Sequence, residues 1–270
     1  MADPTRRRGR PRKSVPEAPG TVQALDRALD LLDLLAGAPG LTLSEVAEQA
    51  GQPPSTVHRV LHTLALRGMV ESDPATQAWN IGPQAFRLGS AFMRRSGIVE
   101  RARPVLRQLM QHSGETANLG ILQGNTVLFV SQVETQETIR AFFPPGTSSP
   151  LHASGIGKAL LAFGPAQDLQ AMAQGGELTR FTDKTLTDPA ALEADLARIR
   201  QRGFSFDDEE KTRGMRCIAA PVFDLSKEAI AGVSVSGPSH RIAVEHVQAL
   251  GAVVAAAAAS LTEIMGGKTP

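Results

Sequence analysis

The sequence predicts an α+β chain in two units: a small helical head that ends in a two-stranded hairpin, and a larger domain of mixed strands and helices, joined by a helix. Three observations predict it. Between residues 22 and 66 apolar residues recur at helical spacing, interrupted near Gly37 and Gly51. Residues 68–81 read as strand, turn, strand around Asp73-Pro74. Beyond Gly114 strands and helices alternate too irregularly for a βαβ nucleotide fold.

Val22, Leu25, Leu29, Leu32 and Ala36 form the apolar stripe of a first helix that ends at Gly37 and Pro39. The stretch from Leu41 to Val70 then holds two short helices. In the first, Thr42 or Ser44 caps the start, Glu45 sits in the first turn, and Val46, Ala47 and Ala50 face inward. Pro54 opens the second, where its missing N–H has no intrahelical partner to lose. Val57, Val60, Leu61 and Leu64 form its buried stripe. The opposite face carries Ser55, Thr56, Arg59 and Thr63, with His58 and His62 at its edges. Short and forked hydrogen-bonding groups at a helix start suit the edges of bases and phosphates, so Thr42, Ser55, Thr56, His58 and Arg59 are candidate DNA contacts. With the hairpin as wing, residues 21–82 read as a winged helix-turn-helix.

Charge complicates that reading. Within residues 21–82 only Arg27, Arg59 and Arg67 stand against seven acidic residues, unlike the usual basic footprint. The positive charge lies in the tail, residues 1–20, expected to be disordered. Its Arg8-Gly9-Arg10-Pro11 resembles an AT-hook, whose arginines enter a narrow minor groove, though an arginine-rich tail that contacts phosphates without preference fits the same residues. The single cysteine, Cys217, forbids an intramolecular disulfide and suits a reducing cytoplasm. An Ala-rich apolar run near Gly251 to Leu261 is too short to span a bilayer, and no export signal is apparent, so no membrane partner is expected.

Residues 83–97 read as a linker helix, and 98–270 as an effector-binding and oligomerisation domain. A helix from Ile98 to His112 is followed by strands over 115–122, 126–133 and 138–143. Helices are expected from Ser154, over 166–173 and over 189–201. Strands near 204–206, 215–223 and 229–236 precede a closing helix over 244–265.

The stretches STVHRVLHTL, LHASGIGKALLAF, LTRFTDKTLTD, DDEEKTRGMRCIAAPVFD and SVSGP resemble the IclR family of bacterial transcriptional regulators, and the likeness runs from Val22 to about Gly266. The resemblance implies a homodimer or homotetramer whose GAF-like C-terminal domain takes a small organic acid and alters binding to a double-stranded DNA operator. The DDEE…GMRCIAAPVFD block is most similar to members that answer to glyoxylate or pyruvate, so the expected effector is a small 2-oxoacid, glyoxylate first, with no other cofactor. Family similarity places effector contacts at Asp207, Cys217, Ser234, Ser236 and the amides of Gly155 and Ile156.

The residues allow that chemistry. Period two points Ser234 and Ser236 to one side of a glycine-lined strand, and amides at a helix start receive a carboxylate. Solvated surface serines and a turn-capping Asp207 are the plainer readings. A Walker A loop is excluded, because His152 replaces its first glycine and Ala159 its Ser/Thr. The rival functions are a Cys217–His152 enzyme acting on a small carbonyl compound, a metal sensor, and a nucleoid protein. The first lacks a third orienting residue and the second any ligand spacing among six histidines and one cysteine.

Overall fold

The computed structural model describes residues 22–38, 40–165 and 178–270, with side chains omitted at 92–96. The chain divides into two compact units that meet between residues 95 and 96.

The N-terminal unit comprises α1 (Gln23–Gly37), α2 (Leu43–Gln49), α3 (Pro54–Leu66), β1 (Val70–Ser72), β2 (Trp79–Ile81) and α4 (Pro83–Ser96). Its core is Leu31, Leu35, Val46, Ala47, Val57, Leu61 and Val70. The stripe expected on α1 is corrected here: Val22, Leu25 and Leu29 are more than half exposed, while Leu31 and Leu35 are buried. Both stripes have helical spacing, and contact with α2 and α3 selects the one that carries Leu31 and Leu35. The wing is a short antiparallel ladder, Val70 opposite Ile81 and Ser72 opposite Trp79, and Trp79 N–H donates to the Leu41 carbonyl at 2.7 Å. Gly82 is fixed sterically, since a Cβ there would lie 2.4 Å from the Gly68 carbonyl oxygen.

The C-terminal unit comprises α5 (Ile98–Ser113), β3 (Thr116–Gln123), β4 (Thr126–Val133), β5 (Ser148–Pro150), α6 (Gly155–Phe163), α7 (Pro189–Arg202), β6 (Ser205–Asp208), β7 (Met215–Phe223), β8 (Ala229–Pro238), a 3₁₀ turn (Val244–His246) and α8 (Val247–Ile264). Its six strands lie in the order β5-β4-β3-β8-β7-β6, every pair antiparallel. Strand alternation divides the sheet into two faces. Leu119, Ile218, Val233 and Val235 point to the side covered by α5 and α8. Val127, Phe129 and Ala219 join Ile156 and Leu160 of α6 and Leu192, Leu196 and Ile199 of α7 in the core of the other side.

Residues 138–143 do not form the expected strand. That β-prone run leads into Pro144-Pro145-Gly146, and Ile139 and Phe142 face solvent; the edge strand is instead β5, paired to β4 from Ser148 opposite Leu128 to Pro150 opposite Thr126. The helix expected over 166–173 lies outside the described residues. The closing helical segment, Val244–Ile264, is longer than the apolar run read from sequence, and its length and composition would let it cross a membrane. Val247, Gly251, Val254, Ala258 and Leu261 are nevertheless buried, and Thr262 accepts a hydrogen bond from Phe223 N–H at 3.1 Å, which seats the helix on the sheet.

Candidate functional site

Two sites emerge, one in each unit. In the head, α2 begins with a capping box: Glu45 N–H donates to Thr42 Oγ1, and Thr42 N–H and hydroxyl both donate to the Glu45 carboxylate, at 2.8 and 2.7 Å. Thr42, a candidate DNA contact, therefore already uses its hydroxyl within the chain. On α3, Ser55, His58 and Arg59 are exposed and Thr56 is half-buried. His58 and His62 stack with ring centres 6.3 Å apart, and Thr63 Oγ1 donates to the Arg59 carbonyl. A groove between α1 and α3 is lined by Arg27, Thr56 and Arg59, so the arginines of two helices flank one depression. Arg8 and Arg10 lie outside the described residues.

The second site begins with register. Asp207 pairs with Cys217, Cys217 with Ser236, and Asn118 with Ser234, so these side chains stand in adjacent rows on the face beneath α6. The helix start is pressed onto them: a Cβ on Gly155 would lie 2.6 Å from Cys217 Sγ, and Ser205 Oγ donates to the Gly155 carbonyl at 2.6 Å. Ser154 caps α6 by accepting from Gly157 N–H, which leaves the Gly155 and Ile156 amides without a backbone acceptor.

Between these elements lies a cavity of ≈ 30 Å³, lined by Gly155, Ile156, Asp207, Cys217 and Ser236 together with Phe129, Phe143, Ser149, Lys211 and Met215. Ordinary ligand clefts begin at about 300 Å³, so this one fits a molecule of only a few heavy atoms. Of the six expected effector residues, five line it. Ser234 is buried one row behind, and both serines are withdrawn from solvent.

Burial and the Asp207 charge push the Cys217 thiol up to about 11, and the Ser236 hydroxyl, the Ser234 hydroxyl and the Gly155 N–H all lower it by hydrogen bonding. Cys217 thus sits among polar groups, with Ser236 across the ladder and the start of α6 pressed against its sulfur. The same shift keeps Cys217 protonated at neutral pH and disarms it as a nucleophile. His152 does not line the cavity with Cys217, and its Nε2 donates instead to the Thr179 carbonyl at 2.9 Å.

Asp207 does two things at once. Its Oδ1 accepts the Glu210 N–H at 2.8 Å, capping a turn, while the carboxyl also faces the cavity. Burial, then the charge of Glu210, push its pKa to about 7 against the opposing pull of Lys158. The folded state therefore holds this proton where the unfolded chain has lost it. The stabilisation is complete below the model-peptide value of 3.8 and is lost as pH rises through about 7. Denaturant unfolding of wild type and Asp207→Asn from roughly pH 5 to 8.5 should show wild type losing stability relative to the variant up to about pH 7, then running parallel to it. A constant difference would mean that Asp207 is ionised throughout.

Residues not anticipated from sequence complete the wall. Asn118 donates one Nδ2 hydrogen to Ser234 Oγ and the other to Ser236 Oγ, each at 3.3 Å, and its Oδ1 accepts from Gln132 Nε2 at 3.1 Å. Since both serine oxygens accept from Asn118, their own hydrogens are left to donate. The only signal in the sequence was an amide amid the apolar strand Thr116–Leu122.

Behind the wall, Lys158 is fully buried and holds Asp195 at 2.8 Å, Glu210 at 2.5 Å and the Phe206 carbonyl at 2.7 Å. Burial alone would lower its pKa, but Glu210 and Asp195 outweigh it and the ammonium stays charged. The lysine that follows Gly157 therefore ties α6 to α7 and to the Asp207 turn, and has no phosphate role.

Comparison with known proteins agrees with both halves. The family model described as the IclR helix-turn-helix domain matches residues 24–74, and that of the bacterial transcriptional regulator IclR C-terminal domain matches residues 90–263. The chain is 61% identical to the HTH-type transcriptional regulator BhcR of Paracoccus denitrificans over 97% of its length and 95% of that protein's. It is 39% identical to the transcriptional repressor IclR of Escherichia coli, covering 98% and 97% of the two chains. The crystal structure of an IclR homologue from Microbacterium hydrocarbonoxydans complexed with 4-hydroxybenzoate superposes with a TM-score of 0.79 at 25% identity, over 90% of this chain and 99% of that one.

Proposed function

Because this chain belongs to the IclR family of bacterial transcriptional regulators, we propose that its C-terminal cavity binds a small 2-oxoacid, glyoxylate first, and that occupancy changes the grip of the head on an operator. It is a DNA-binding regulator and not an enzyme. The observation that carries the effector assignment is the meeting of Ser236, the start of α6 at Gly155 and Ile156, and Asp207 around one ≈ 30 Å³ space, with Ser234 one row behind. Groups on one side donate to a carboxylate or carbonyl oxygen. Asp207 on the other side takes a hydrogen from a hydrated aldehyde, or meets an anion in its own neutral form.

A carboxylate ligand agrees with the 4-hydroxybenzoate bound by the Microbacterium homologue, and the small space here favours a much smaller acid. Pyruvate is the runner-up, since its extra methyl must fit against Ile156 or Met215, and a methyl group changes affinity by only about 10–200-fold. Calorimetric titration with glyoxylate, pyruvate, acetate and oxalate tests the assignment. Glyoxylate should bind most tightly, and no binding by any of the four would remove the proposal.

DNA contact falls to Ser55, Thr56, His58 and Arg59 of α3, with Arg8 and Arg10 adding charge from the tail. Arg59→Ala should weaken operator binding by about 1–3 kcal/mol and random-DNA binding by less, measured by anisotropy at fixed salt. Equal losses would reduce Arg59 to a phosphate contact. Val22, Leu25 and Leu29 of α1 and Phe86 and Leu88 of α4 leave apolar surface open, which supports a homo-oligomer. A cytoplasmic location follows from the DNA partner.

A further inference from the structure

The segment from Ser205 to Arg216 carries three cations, and two are paired: Arg213 with Asp183 at 2.7 Å and Arg216 with Asp208 at 2.7 Å. The third, Lys211, is half-buried, and among the described residues no carboxylate lies within ion-pair distance of it. Among the described residues its ammonium donates a single hydrogen bond, to Ser149 Oγ of the edge strand β5 at 2.7 Å, so two of its three hydrogens find no acceptor there. Lys211 lines the cavity, together with Asp207 and the Cys217 wall.

We propose that Lys211 is the counter-cation for the effector's carboxylate, a recognition residue that makes the cavity selective for anions. The inference rests on the reading of this cavity as an effector site. A half-buried ammonium without a counter-ion is held at a cost in solvation, and burial lowers its pKa, with Asp207 the only group that opposes this. A small monocarboxylate in the cavity supplies the missing charge and takes the two free hydrogens. Asp207 and Lys211 then give the cavity a carboxyl end and an ammonium end, which suits a ligand with a carboxylate at one end and a hydroxyl, such as that of a hydrated aldehyde, at the other. Because Lys211 holds β5 through Ser149, the same contact links cavity occupancy to the edge of the sheet.

Calorimetry on the full chain tests this with glyoxylate and its neutral amide. Lys211→Met should lose at least about tenfold in glyoxylate affinity, Lys211→Arg should recover most of it, and glyoxylamide should bind all three proteins alike. If Lys211→Met binds glyoxylate as wild type does, or loses acid and amide equally, Lys211 is not a charge contact, although the cavity reading stands. If wild type binds neither compound, the cavity reading fails and takes this inference with it.

Discussion

Lys158→Met is expected to destabilise the C-terminal unit by about 3–5 kcal/mol, because it leaves Asp195 and Glu210 buried without their shared cation. The side chain is 1% exposed, and its three ammonium hydrogens are spent on two carboxylates and a carbonyl, so no water replaces them. Glu210 Oε2 is already buried without a partner, and the substitution adds more unmet groups. Since Glu210 N–H holds Asp207, and Lys158 follows Gly155 and Ile156 by less than one turn of α6, effector affinity should fall with stability. Urea unfolding followed by circular dichroism reads the effect. The triple replacement Lys158→Met, Asp195→Leu, Glu210→Leu should recover part of the loss, since apolar groups of similar volume carry no desolvation cost. A Lys158→Met protein as stable as wild type would mean that the cluster is open to solvent.

The second large effect concerns the effector. Ser234→Ala with Ser236→Ala removes the Ser236 donor that lines the cavity, worth about 1.5–3 kcal/mol toward a charged ligand, and the Ser234 hydroxyl behind it, so glyoxylate affinity should drop by at least about tenfold while DNA affinity stays within about twofold. Asn118 then loses both acceptors for its Nδ2, which accounts for a modest fall in stability. Retained DNA binding separates that fall from loss of the ligand contact. A double variant that still responds normally would place the effector elsewhere.

Much of this was legible in the residues. The helix-turn-helix was readable because capping and proline rules act locally: Thr42 and Glu45 form their box, and Pro54 sits at the start of α3. The side assignment of Ser234 and Ser236 followed from strand alternation, which leaves no freedom once β8 forms. What failed was tertiary. The α1 stripe was misassigned because two apolar arcs satisfy the same period and only packing chooses between them. Residues 138–143 looked like a strand until the prolines behind them and the pairing of β5 decided otherwise. The contacts of Asn118 and Lys211 were not legible because they join residues distant in sequence: Asn118 meets its serines 116 and 118 residues away, and Lys211 reaches Ser149 across 62.

The central claim is a coupling between the cavity and the head. It is tested most directly by anisotropy titration of the full chain against its operator, selected for tight binding from a random DNA pool, at fixed salt with and without saturating glyoxylate. The account predicts a change in operator affinity of at least about fivefold, matched by the same factor in glyoxylate affinity when DNA is present, because coupling between two sites is reciprocal. An operator affinity unmoved by glyoxylate, with the acid still seated in the cavity, would contradict it.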